Sequence, residues 1–238
     1  MTLSSEEILS NSFVVSIDDR RYNAFVKEFK KESIPIIPKK FVGYELTNEY
    51  LLDSFKILAD LKNQPIHGIL ENNLNLIHSL CNNASHFAIV QHAMLNDMPF
   101  VTIFEDDAIP VEGCIEKLNA YCSDIPDDTD VLRIGYGIRG RKNQIDAMKC
   151  NYSRCPENLI IKNVPGSHAY VVFKKYYKRF IEDNKDQPRC DYVKINPTPD
   201  KVIYALKEPL FVQHNIMESP VIHAYRFKDG RIKYPPVS

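Results

Sequence analysis

Residues 100–104, Phe-Val-Thr-Ile-Phe, form an apolar run that stops at three consecutive carboxylates, Glu105, Asp106 and Asp107, before Ala108-Ile109-Pro110. β-Branched and aromatic residues in a short run suit a buried strand. Three adjacent carboxylates repel one another unless solvent or a cation compensates them. Glu105 and Asp107, two apart, can point to one side of an extended backbone and offer the hard oxygen ligands that Mg²⁺ or Mn²⁺ prefers. A solvated acidic turn in front of a helix starting near Val111 accounts for the same residues without a metal.

The chain has 238 residues, a length that suits a single α/β domain with a sizeable core. With 30 Lys+Arg against 31 Asp+Glu, its net charge of −1 gives no global electrostatic reason to bind nucleic acid or an anionic membrane. No stretch approaches the roughly 20 apolar residues of a membrane span, and the first residues lack the basic-then-apolar order of a signal peptide, so the expected location is cytoplasmic. The six cysteines, Cys81, Cys114, Cys122, Cys150, Cys155 and Cys190, form no C-x-x-C pair and match no common zinc spacing. They are expected to be reduced packing residues.

Ser12 to Ile17 reads as a first strand, and Arg21 to Lys31 as a helix with Tyr22, Phe25, Val26 and Phe29 at helical spacing. Ile34 to Phe41 suits a proline-bounded second strand, and Thr47 to Leu61 an amphipathic helix. Leu74 to Met98 has helical character, with an interruption expected near Cys81 to Ala84. After the acidic strand come a helix over Val111 to Tyr121 and strands over Asp130 to Ile134, Ala169 to Phe173 and Pro209 to Val212. Such alternation predicts an α/β protein with a largely parallel sheet.

Ligands of open α/β sheets sit outside the carboxyl ends of the strands. Three segments fall there: Asp18-Asp19-Arg20-Arg21 after the first strand, Glu105-Asp106-Asp107, and the glycine-rich Gly135-Tyr-Gly-Ile-Arg-Gly-Arg-Lys142. Together they offer groups for an anion and a metal. The last segment matches G-x-G-x-x-G formally, which admits a nicotinamide-dependent oxidoreductase. However, a polar stretch follows it where the dinucleotide fingerprint needs a helix, and it lies mid-chain. A loop whose Arg139, Arg141 and Lys142 meet phosphates, or a plain solvated turn, fits better.

In order and spacing, these segments resemble glycosyltransferase family 25, the lipopolysaccharide-biosynthesis and collagen-galactosyltransferase-like group. The resemblance runs from the first strand with Asp-Asp-Arg-Arg-Tyr-Asn, through Ala84-Ser85-His86-Phe87, Pro99 to Pro110, Gly166-Ser-His-Ala-Tyr-Val-Val-Phe173 and Asp191, to Pro209-Leu-Phe-Val-Gln-His214. It spans roughly residues 12 to 215 and is most specific at Ser85-His86 and Glu105-Asp106-Asp107. Where that family carries Gly-Cys shortly before Ser-His, this chain has Asn82-Asn83-Ala84, so the approach to that helix is expected to differ.

The resemblance implies a GT-A-like fold, a Rossmann-type three-layer sandwich with a mostly parallel central sheet, in a single domain. It also implies inverting transfer of a hexose, galactose foremost, from a nucleotide sugar such as a UDP-sugar to a glycan or lipid-linked saccharide. Peripheral association with the inner face of a membrane is compatible with such an acceptor. The metal, Mn²⁺ or Mg²⁺, is assigned to Asp107 with Glu105 and the late His214. Arg20, Arg21, Ser85, His86, Asp106, Arg139 and Arg141 are assigned to the donor, Asp106 to its ribose. Asp191 is the candidate base that takes the acceptor hydroxyl's proton. Other readings of the same residues stay open: a surface histidine at 214, an inward hydrogen-bonded Ser85-His86 pair, a helix-capping Asp191, and a non-catalytic sugar- or nucleotide-binding protein of the same fold.

Overall fold

A computed structural model describes residues 3–44, 66–136, 159–160, 168–184 and 201–213. A capped helical turn, α1 (Ser5–Ser10), leads into strand β1 (Ser12–Ser16), and Ser4 and Glu7 close a capping box at its start. Helix α2 (Asp19–Lys31) follows. Asp18 caps it by accepting the Arg21 amide at 2.7 Å, and Lys30 and Lys31 lie at its negative end. Strand β2 (Lys39–Val42) and the long helix α3 (Ile66–Leu95) precede β3 (Phe100–Glu105) and β4 (Ala108–Pro110). Helix α4 (Cys114–Cys122) and strands β5 (Val131–Gly135), β6 (Leu159–Ile160) and β7 (Ala169–Phe173) come next. Helix α5 (Tyr177–Asn184) and strands β8 (Ile203–Leu206) and β9 (Phe211–Gln213) complete the order.

The sheet runs β2-β1-β3-β7-β5-β8-β6, with β9 paired to β4 and β5. The protein is α/β, but its sheet is mixed where a largely parallel one was expected. β1 pairs in parallel with β2 and β3, and β5 with β8 and β9. β7 lies antiparallel between β3 and β5, β4 runs antiparallel to β9, and β6 to β8. The physical reason is that an apolar strand records burial on both faces and not direction. β7 is as buried as the parallel β3 and β5.

Alternate residues of each strand feed two cores. Val14, Phe104, Leu132 and Val171 pack with Phe25 and Phe29 of α2 and Leu118 of α4. Phe13, Val15, Ile103, Tyr170 and Val172 pack with Ile89, Val90 and Ala93 of α3 and Phe180 of α5. The first core has an aromatic centre in which Phe104 lies 4.9 Å from Phe211 and 5.6 Å from Phe29, ring centre to ring centre.

Helix α3 is continuous through Cys81 to Ala84, where an interruption was expected. Asparagine is a mediocre helix former, but tertiary contacts override the preference: Asn83 is buried and Asn82 bonds to β3. The amphipathic stretch expected over 47–61 lies outside the described residues. Strands β4, β6 and β8 were not anticipated. Cys81, Cys114 and Cys122 are free and buried, as packing residues should be, and burial pushes the Cys114 thiol up to about 12 and the Cys122 thiol to about 11.

Candidate functional site

The chain passes from β1 through α2 to β2 on one side of β1, then reaches β3 on the other side. The strand order therefore reverses between β1 and β3, and the crevice beyond their carboxyl ends is where such sheets hold ligands. The parallel register opposes Val15 to Glu105, which brings Ser16 beside Asp106 and collects both strand ends at one place.

Each carboxylate there is served by a different element. Asp106, nearly buried, accepts from the Ser16 hydroxyl at 2.7 Å and from Arg21 Nε at 2.6 Å, and a second Arg21 nitrogen bonds its other oxygen. This fork fastens the first turn of α2 to the end of β3. Burial works against the charged Arg21 guanidinium, but the hydrogen bonds and charge of Asp106 outweigh it and raise the Arg21 pKa, so Arg21 carries its charge across the ordinary pH range. Arg20, one residue earlier, stands exposed on the same turn, and the exposed Asp19 pairs with Lys40 of β2 at 2.7 Å.

Glu105 turns to the α3 side. Its Oε1 accepts from Asn82 Nδ2 at 3.0 Å and lies 3.7 Å from His86 Nε2. His86 is fully buried, and its Nδ1 is 2.6 Å from the Tyr170 hydroxyl. Ser85 is also buried. Its hydroxyl donates to the Cys81 carbonyl at 2.8 Å and accepts the Tyr44 amide at 2.8 Å, which ties the chain after β2 to α3. Ser85 and His86 both point inward and are hydrogen-bonded, and among the described residues Ser85 meets residue 44 and His86 approaches Glu105.

Asp107 lies just beyond the strand, in the turn before β4. Gln213 Nε2 donates to its Oδ2 at 2.8 Å. Its Oδ1 is shielded from solvent and accepts no hydrogen bond from any side chain or backbone group among the described residues. Desolvation pushes the Asp107 pKa up, and the neighbouring Asp106 adds to the rise, while the Gln213 hydrogen bond, His168 and Arg21 oppose it. His168, fully buried at the start of β7, donates from Nε2 to the Phe211 carbonyl at 2.9 Å, and its own carbonyl accepts the Glu105 amide at 2.8 Å.

The strand ends at Glu105 and Asp106-Asp107 form a turn, so the extended backbone expected to put Glu105 and Asp107 on one side is absent. Among the described residues no group of three or more His, Cys, Asp or Glu is arranged to hold a metal ion. The repulsion that suggested a cation is relieved in part by protein groups: Arg21 for Asp106, Asn82 for Glu105, Gln213 for Asp107. Asp107 still fits a hard cation, because a buried carboxylate oxygen without a donor is costly unless something positive meets it. The described residues offer that one oxygen and the nearby Glu105, which is less than a complete shell.

Arg139, Arg141, Asp191 and His214 lie outside the described residues. Gly135, the first glycine of the apparent dinucleotide motif, has a packing explanation. A Cβ there would sit 2.8 Å from both Ala169 Cβ and the Phe211 carbonyl oxygen, so three strands need a glycine at that crossing. Ser16 and Gln213 escaped the sequence reading, which reached Asn82 and His168 only as parts of longer segments and gave neither a role of its own. Asn82 and His168 had a signal: the first sits where the chain departs from the family pattern, the second inside the Gly166-Ser-His segment.

No helix among the described residues is long and apolar enough to cross a membrane. No protein-family model matches this chain, and neither does any curated protein.

Proposed function

We propose that this chain is a metal-dependent, inverting glycosyltransferase that moves a hexose, galactose foremost, from a nucleotide sugar to a glycan or lipid-linked saccharide, on a GT-A-like sandwich. One observation carries the reading: a buried carboxylate oxygen without a donor, Asp107 Oδ1, at the crevice where the strand order reverses. The family resemblance supplies the reaction class, and the mixed sheet with helix α2 against one core and α3 against the other is compatible with the sandwich.

Transfer breaks the bond between the anomeric carbon and a diphosphate oxygen, so negative charge grows on the leaving group. A divalent cation bound at Asp107 would neutralise that charge as a Lewis acid. Arg20, exposed on the first turn of α2, would meet a phosphate oxygen of the donor. Arg21 and Asp106 neutralise each other and hold the α2 turn against β3, so their part is to position the crevice and not to bind the donor directly. In the reaction the acceptor hydroxyl oxygen forms its bond to the anomeric carbon from the face opposite the diphosphate. Asp191 takes the hydroxyl proton, and the nucleoside diphosphate leaves with the bonding electron pair.

A panel of nucleotide sugars tested by thermal shift, with and without Mn²⁺, checks the reading, since a ligand that binds only the folded state raises apparent stability by mass action. The expected result is a higher Tm when Mn²⁺ and one nucleotide sugar are present together. A rise with NADH or NADPH and with no nucleotide sugar would overturn it in favour of an oxidoreductase.

A further inference from the structure

The polar groups behind Glu105 are organised more than a core packing role requires. Asn82 and His86, one turn apart on α3, both address Oε1 of Glu105, at 3.0 and 3.7 Å. The His86 ring is itself fixed: its Nδ1 meets the Tyr170 hydroxyl at 2.6 Å, and the two rings stack with centroids 5.7 Å apart. Both His86 and Tyr170 are fully buried. A carboxylate can only accept, so a proton on His86 Nε2 would face Glu105, at 3.7 Å beyond hydrogen-bond range, and would leave Nδ1 to accept from Tyr170.

Such a file is expensive. Apolar side chains of similar volume would hold α3 on the sheet at least as well, because buried polar groups must first recover their lost hydration. The helix also carries Asn82 and Asn83 in its interior, where each is disfavoured by about 0.6 kcal/mol against alanine. What the file achieves is local. It seizes one oxygen of a strand-end carboxylate and fixes its rotation, at the crevice where ligands of such sheets bind.

We infer that Asn82 and His86 are positioning residues that set the direction of Glu105 toward a metal-bound nucleotide, with Tyr170 orienting His86. This rests on the reading that the β3 end binds such a ligand. The three residues act through Glu105 and do not touch the donor, which gives α3 a role distinct from direct donor binding by Ser85 and His86. The arrangement follows the general rule that groups orienting a ligating side chain matter nearly as much as the ligand itself.

A double-mutant cycle tests this on the full chain with UDP and Mn²⁺ as probes, by calorimetry, alongside the Tm of every variant. Asn82→Ala should weaken Mn²⁺-dependent UDP binding about ten- to a hundredfold, the usual worth of one hydrogen bond to a charged group. Tyr170→Phe, which removes only a hydroxyl, should weaken it about two- to fivefold on the same scale. In a Glu105→Ala background neither change should weaken binding further. A merely structural role would lower Tm and weaken binding by the same factor in both backgrounds, and that additive result would overturn the inference while leaving the proposed function standing. Unaltered binding in both single variants would also overturn it. Failure of the wild-type protein to bind UDP with Mn²⁺ would remove the proposed function and this inference together.

Discussion

Replacing Asp106 by alanine should cost this protein a large share of its stability. Asp106 and Arg21 retain only 7% and 14% of their side-chain exposure, so the pair is nearly buried. Removing one partner of a buried pair leaves an uncompensated charge, at about 3–5 kcal/mol. The lower end applies, because the Arg21 head lies close enough to the surface to recruit water, although the Ser16 hydroxyl also loses its acceptor. About 3 kcal/mol corresponds to a Tm lower by roughly 6–12 °C for a domain of this size. Asp106→Asn keeps an acceptor for Ser16 and should fall between wild type and Asp106→Ala. The double variant Arg21→Met with Asp106→Leu removes both charges and should be more stable than either single change. Thermal unfolding followed by circular dichroism reads all of these. A Tm drop under about 2 °C for Asp106→Ala would refute the reasoning, because that is the range of exposed ion pairs.

Gly135→Ala should destabilise by about 1–3 kcal/mol, since its methyl would meet Ala169 and the Phe211 carbonyl at 2.8 Å; an unchanged Tm would show that β5, β7 and β9 part easily there. Asp107 has a pKa raised by desolvation from its ordinary 3.8, so its folded form holds a proton that the unfolded chain has already released. Between 3.8 and the raised value, wild-type stability therefore falls as pH rises, and Asp107→Asn escapes that loss. In metal-free buffer the variant should match wild type at low pH and become the more stable protein toward neutrality; urea unfolding across pH checks it, and a constant difference would contradict the raised pKa.

Local structure was legible where apolar spacing and end signals agreed. Phe25 and Phe29 announced α2, and Asp18 its start; the runs at 100–104 and 169–173 announced β3 and β7. Strand direction was not legible, because Val171 and Val172 would be equally buried in either orientation. Continuity of α3 through Asn82 and Asn83 was hidden as well, since it depends on a partner at Glu105, 23 positions away from Asn82. At the site, the strand-end reading of Glu105 to Asp107 agrees with their place at the end of β3. It could not foresee that each carboxylate would be met by a different element, because Arg21, Asn82 and Gln213 are brought there by the fold and by no local spacing.

The central claim is that Asp107 anchors a cation that carries the donor's diphosphate. Calorimetry of UDP binding to wild type and to Asp107→Asn, each with and without Mn²⁺, tests it most directly. The account predicts that wild type binds UDP in a Mn²⁺-dependent manner, and that the variant, folded and at least as stable at neutral pH, loses that dependence. Mn²⁺-dependent binding of undiminished affinity in the folded variant would contradict it.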